Sequence, residues 1–286
     1  MKVAVIGKGL IGGSFEKASR PAGHETVILH HGDATGFEAA DLILVCLPPG
    51  AIVPWIKAHC ASFKPGALVV DICGVKQRIV RDMAEVPQTG WTFVGGHPMA
   101  GREVAGYENS LPTLFVGASM ILTPFDGTPS AVIETLKAYF ASVGFAMTVV
   151  TTPERHDEMI GFTSQLCHVV ATTYARDPRV KDAIGFSAGS YANMTRIATQ
   201  NASDWSALYS ENRAALVDVL DGFLARFKEL RDAIAADDGD AVRRQIEEGA
   251  KAKRQELLDR QRGDENLSPP AIPMARGMSK PAPDAL

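Results

Sequence analysis

Apolar residues in the first half of the chain gather in short runs, at 2–6, 26–30, 42–47, 67–71, 92–95, 118–122 and 146–150, separated by helical periodicity near 50–61, 76–84 and 129–142. Runs of this length alternating with amphipathic stretches predict strands and helices in turn. The fold class that follows is α/β, a doubly wound and mostly parallel sheet covering residues 1–151. From Thr152-Pro153-Glu154 onward the strand pattern stops, and Thr-Pro is a good helix start because proline is tolerated at the first helical position. Residues 152–262 therefore read as all helix, with Ser203-Asp204-Trp205 as a second helix start. Leu208, Leu216, Val219, Leu220, Phe223, Phe227 and Leu230 recur there at helical spacing, a stripe that belongs in a core or a subunit interface. After Arg262 the chain turns rich in proline, at Pro269, Pro270, Pro273, Pro281 and Pro283, and 263–286 is expected to be a disordered tail.

Composition narrows the function classes. With 286 residues, 46% of them hydrophobic, the chain can bury a real core and has room for two domains. Its net charge of -4 and the mixed charges around Lys251, Lys253 and Arg254 argue against nucleic acid as a partner. Cys46, Cys60, Cys73 and Cys167 form no CxxC pair, and no metal site is expected. The amino terminus runs straight into a strand, and no apolar run approaches the ~18 residues of a membrane span. A reduced, cytoplasmic protein is the expectation.

The first strand ends in Gly7-Lys8-Gly9-Leu10-Ile11-Gly12, and a helix follows to about Arg20. Strand, glycine turn and helix in that order make a dinucleotide site. Gly7 gives the tight bend, Gly9 lets backbone approach a pyrophosphate, Gly12 lets helix and strand pack, and the first helical residues Leu10 and Ile11 point N–H groups at the anion. The cofactor is NAD or NADP. The ribose-binding position falls among His30, His31, Gly32 and Asp33, and residues 21–56 contain no Lys or Arg for a 2'-phosphate. That favours NAD slightly, through Asp33. Residues 32–41 leave little room for a crossover helix, which is expected to shrink to a turn.

Gly95-Gly96-His97-Pro98-Met99-Ala100-Gly101-Arg102-Glu103 places one histidine in what reads as a glycine turn beyond the nucleotide-binding half. With an ordinary pKa of about 6.5 it can take a proton while a cofactor takes a hydride. A structural hydrogen-bonding role is the alternative. On the helix from Pro153, Asp157, Ser164 and His168 form one polar stripe with Gln165 beside it, either a seam between helices or part of a site. Arg196, set among small and apolar residues, either pairs with an internal acid or receives a substrate carboxylate. These residues alone point to an oxidoreductase acting on an anionic substrate.

Taken in order, several segments resemble the prephenate and arogenate dehydrogenase family of tyrosine biosynthesis. They are the glycine turn through Ser14, Asp71-Ile72-Cys73-Gly74-Val75-Lys76, Gly96 to Glu103 with Gly106-Tyr107-Glu108, His156-Asp157, Ser164-Gln165-Leu166-Cys167-His168, and Thr195-Arg196-Ile197-Ala198 before Asp204-Trp205. The resemblance implies oxidative decarboxylation of prephenate to 4-hydroxyphenylpyruvate and CO₂. His97 would act on the ring hydroxyl, His168 and Arg196 would hold carboxylates with Gln165 in support, Glu103 would gate the site and Trp205 would pack near it. It also implies a homodimer built on the helical half. Gly74 takes a place beside the cofactor where the family usually has a serine, Cys167 replaces a common proline, and Asn193 an acid near the arginine. The alternatives are an arogenate or cyclohexadienyl dehydrogenase, a relative acting on another ring substrate, and a nicotinamide-binding regulator without activity.

Overall fold

The computed structural model describes residues 1–265. Its first half is a seven-stranded sheet of β1 (Lys2–Ile6), β2 (Glu25–Leu29), β3 (Leu42–Val45), β4 (Leu68–Asp71), β5 (Thr92–Pro98), β6 (Ser119–Pro124) and β7 (Met147–Val150), in the order β2-β1-β3-β4-β5-β6-β7. All neighbours pair parallel except β5 and β6, so the expected mostly parallel sheet is observed. Helices α1 (Leu10–Ser19), α2 (Pro49–His59), α3 (Gln77–Ala84) and α4 (Ser130–Ser142) cover it.

Strand periodicity explains the two cores. Along β1, Val3 and Val5 face α1 and α4 with Phe15, Leu136 and Phe140, while Ala4 and Ile6 face α2 and α3 with Ile56, Ile79 and Met83. With both faces buried, β3 is apolar at every position and β4 at all but its terminal Asp71, rather than at alternate positions. Between β2 and β3 the crossover carries no helix, as its length requires, and only Phe37 and Ala40 anchor it to the core.

The second half consists of α5 (Pro153–Ile160), α6 (Leu166–Ala175), α7 (Gly189–Thr195), α8 (Ala202–Glu211), α9 (Arg213–Ala235) and α10 (Gly239–Glu265). Three expectations need correction. The helix from Pro153 is interrupted by a π-helical segment at Gly161–Gln165. Helix α8 is capped by Asn201, whose side chain accepts the Asp204 N–H at 3.1 Å, and Ser203 lies inside it. Helix α10 continues past residue 262, so the expected tail begins within a helix, and positions 266–286 lie outside the described residues. Of the apolar stripe on α9 only Leu216 is buried, while Phe227 is 62% exposed. Among the described residues no helix is long and apolar enough to cross a membrane.

Candidate active site

The parallel strands end on one edge of the sheet, and the glycine turn lies there between β1 and β3, where the strand order reverses. A side chain at Gly7, whose φ is +113°, would collide with the Cys46 carbonyl, and one at Gly12 would collide with the Gly7 carbonyl. Both glycines are therefore demanded by close packing. Gly9 differs: a Cβ there meets nothing within 4 Å, and as the cap of α1 it offers no side chain to the helix N–H groups. This open approach to uncapped N–H groups at Leu10 and Ile11 fits a dinucleotide pyrophosphate. His31 and Asp33 lie just beyond β2 and are exposed, with Asp33 Oδ2 accepting the His30 N–H at 2.7 Å.

His97 is not in a turn. Strand β5 runs three residues beyond the expected end at 95, and His97 pairs with Ile121 of β6 inside it. Gly96 is required by crowding, because a Cβ there would stand 2.6 Å from the Asp71 carbonyl and 2.7 Å from the Met120 methyl. Asp71, at the end of β4, accepts the Gly96 N–H at 3.3 Å and the Cys73 N–H at 3.0 Å, and is ion-paired with Lys76. Both charged side chains are fully buried. The pair joins β4, β5 and the segment leading into α3, with the Lys76 side chain beside Gly95 on the face of β5 that His97 shares.

A cavity of about 330 Å³ opens in front of His97, lined also by Gly74, Gln165, His168, Trp205 and Leu208. A Cβ on Gly74 would stand 3.7 Å from His97 Nε2, so that nitrogen faces the cavity beside the glycine. His97 Nδ1 lies 2.9 Å from His156 Nε2, and His156 Nδ1 lies 2.7 Å from Asp157 Oδ1. Burial above all, with the Lys76 charge adding to it, pushes the His97 pKa well below the usual histidine value. The ring is neutral at neutral pH.

The π segment decides what the helical half presents. A π-helix takes in an extra residue per turn, which widens the helix, and such segments recur at functional sites. Here Ile160, Ser164, Gln165 and His168 all reach the cavity. Asp157, expected on the same polar stripe, instead accepts the N–H groups of Lys76 and Gln77 at 2.8 and 2.9 Å and caps α3. His168 packs on Trp205 with ring centroids 3.6 Å apart, and burial lowers its pKa. Gln165 lines the cavity, yet its carbonyl accepts from Asn212 at 2.7 Å and its amide makes a long contact with Leu208 O at 3.4 Å. Its capacity to support a ligand is therefore largely used.

Glu103 and Arg196 do not line this cavity. They are exposed and ion-paired with each other, close enough to His168 to act on its charge. Sequence reasoning offered Arg196 either an internal acid or a substrate carboxylate, and its partner here is Glu103. It assigned no role to His156, Asp71 or Lys76. The available signals were the family-like segments Asp71–Lys76 and His156-Asp157, whose charged and histidine side chains all turn out to be buried.

The chain matches two family models, "Prephenate dehydrogenase, nucleotide-binding domain" over residues 3–149 and "Prephenate dehydrogenase, dimerization domain" over 152–248. It is 30% identical over 280 residues to a cyclohexadienyl dehydrogenase of Zymomonas mobilis, covering 88% of this chain and 94% of that protein. Its structure is similar to that of a prephenate dehydrogenase from A. aeolicus in complex with hydroxyphenyl propionate and NAD+, with a TM-score of 0.76, 26% identity, and coverage of 90% and 98% of the two chains. A Synechocystis arogenate dehydrogenase has the same fold, with a TM-score of 0.77 at 23% identity over 89% of this chain and 99% of that one.

Proposed function

The chain belongs to the prephenate and arogenate dehydrogenase family, as an NAD(P)-dependent dehydrogenase, and from that premise we propose that it oxidatively decarboxylates prephenate to 4-hydroxyphenylpyruvate. The observation that carries this reading is the cavity in which His97 Nε2 faces His168 and Trp205, with Arg196 nearby.

NAD(P), when bound along Gly7–Gly12, supplies the hydride acceptor. The chain's own contribution is to place and deprotonate the ring. His97 Nε2 accepts the proton of the carbinol hydroxyl, which raises electron density on the carbon that loses hydride, and departure of the ring carboxylate as CO₂ leaves an aromatic product. His168, neutral by burial and packed on Trp205, offers one N–H to a carboxylate. Arg196 exchanges Glu103 for the other, so Glu103 holds the cation in place until substrate arrives. Gly74 contributes no hydroxyl to the carbinol.

NAD is the proposed preference, since Asp33 is the acid nearest the expected ribose and residues 21–56 carry no Lys or Arg. The assay is reduced-cofactor absorbance with prephenate and with arogenate, each with NAD and NADP. The Zymomonas relative's name, cyclohexadienyl dehydrogenase, is the reason arogenate is included. Silence in all four combinations defeats the reading.

The acid limb of kcat/KM is expected below pH 6.5. Protonating His97 places a charge where burial and the nearby Lys76 charge oppose it, so the neutral base persists as pH falls and is lost only below the ordinary histidine value. Stability follows the same sign. The unfolded chain binds this proton first, so folding weakens as pH drops below about 6.5. An acid limb above 6.5 would contradict the assignment.

Arg196→Ala is expected to raise KM for prephenate about tenfold or more with a smaller effect on kcat, because a charged hydrogen bond to a carboxylate contributes roughly 1.5–3 kcal/mol. An unchanged KM would show that another cation holds the carboxylate. We also propose a homodimer. The dimerization-domain model covers 152–248, and Leu224, Phe227, Ile234 and Ile246 leave an apolar face exposed on α9 and α10 that a second copy would bury. Light scattering should give twice the chain mass, and a monomer at assay concentration would refute it.

A further inference from the structure

We infer that His156 is a positioning residue that holds His97 in the tautomer with its proton on Nδ1 and a bare Nε2 facing the cavity. The catalytic consequence rests on the reading of His97 as base, but the tautomer does not. The argument starts at Asp157, which is buried with both oxygens accepting backbone N–H groups, Oδ1 from Lys76 at 2.8 Å and Oδ2 from Gln77 at 2.9 Å. Oδ1 already accepts the Lys76 N–H and, as a carboxylate oxygen, only accepts, so the 2.7 Å contact to His156 Nδ1 makes that nitrogen the donor.

His156 is 1% exposed, and burial holds it neutral despite the pull of Asp157. A neutral imidazole carries one N–H, already spent on Asp157, so His156 Nε2 is a lone pair. That lone pair lies 2.9 Å from His97 Nδ1, which must therefore be the donor. Neutral His97 then has its only other nitrogen, Nε2, free of hydrogen and next to Gly74 at the cavity wall. The other charged groups around the ring do not compete for Nδ1: Lys76, beside Gly95 on the face of β5 that His97 shares, is paired to Asp71, and His168 stands at the cavity.

The device has a direct catalytic meaning. A histidine with its proton on Nε2 would offer the carbinol a donor where an acceptor is required, and the analogous tautomer error in a serine-protease triad costs turnover about 10⁴-fold. When His97 takes the substrate proton it becomes a cation with both nitrogens protonated, and Nδ1–H keeps its bond to the His156 lone pair. One proton moves from hydroxyl to Nε2, and His156 changes neither charge nor partner.

Nitrogen NMR of the free, full-length protein labelled at its 7 histidines reads the tautomer. The His97 signals are assigned by their loss in His97→Asn. In the wild type we expect His97 with Nδ1 protonated and Nε2 bare. His156→Leu, which removes the acceptor, should move His97 toward the opposite tautomer and lower kcat roughly 10- to 100-fold with little change in KM. His156→Gln, whose amide oxygen can accept from Nδ1, should restore much of both. A wild-type His97 protonated on Nε2 overturns the inference, as does a His156→Leu protein with tautomer and kcat unchanged. If His156→Leu does not fold, the wild-type spectrum and His156→Gln still decide. Failure of the wild type to oxidise any substrate would sink the catalytic reading alone, because the tautomer is measured without substrate.

Discussion

His97→Asn should leave NAD binding intact and cut turnover about 10²–10⁴-fold, the usual contribution of a general base. Asparagine is the informative replacement because its amide branches from the same carbon that carries Nδ1. It can keep the contact to His156 while removing the nitrogen that faces the cavity. The cofactor turn is built by Gly7, Gly12 and the start of α1, none of which touches His97. Cofactor affinity by fluorescence titration and kcat by absorbance separate the two effects. A variant with near-normal turnover removes His97 from the mechanism, and one that loses the cofactor as well shows that the substitution disturbed the fold.

Lys76→Met should lower stability by about 3–5 kcal/mol, which for a domain of this size lowers Tm by roughly 10 °C. The side chains of Lys76 and Asp71 are both fully buried, and methionine fills the lysine stem's volume without its charge. The carboxylate then keeps only the Cys73 and Gly96 N–H groups as partners, at 3.0 and 3.3 Å, which do not offset an isolated buried charge. Because those N–H groups lie beside Gly74 and His97, the loss should extend to activity even below the new melting temperature. Calorimetry and kcat at a temperature where both proteins are folded test this. A Tm within 2–3 °C of the wild type would mean that the pair is not the keystone its burial indicates.

Much of the fold was legible because strands and helices carry different periods. The seven runs of apolar residues became seven strands, with no end moved by more than three residues. The glycine turn was equally legible, since Gly7 and Gly12 are dictated by local crowding. Element ends were less so. Ser203 and Asn201 are both good caps, and in the fold it is Asn201 that makes the bond. His97 read as a turn residue because glycines usually signal turns, whereas Gly95 and Gly96 are small to let β5 fit between β4 and β6. A neighbour's need for space leaves no local mark distinguishable from a need for flexibility.

The same division holds in the site. The histidines, the arginine and the tryptophan could be picked out as residue types suited to an anionic substrate, and their family pattern joined them into one reading. Their partners could not be picked out. The bond between His97 and His156 spans 59 positions, and that between Lys76 and Asp157 spans 81. Arg196 was open to two partners until the fold brought Glu103 to it. By itself the sequence determined the order of elements, the dinucleotide turn and the kinds of chemistry available, because these depend on period, backbone freedom and side-chain type within a few residues. Only the tertiary structure decided that His97 lies on a strand, that an interrupted helix carries Gln165 and His168 to its cavity, and that His156 stands behind it, because hydrogen bonds in a buried site are chosen by which distant groups packing leaves within reach.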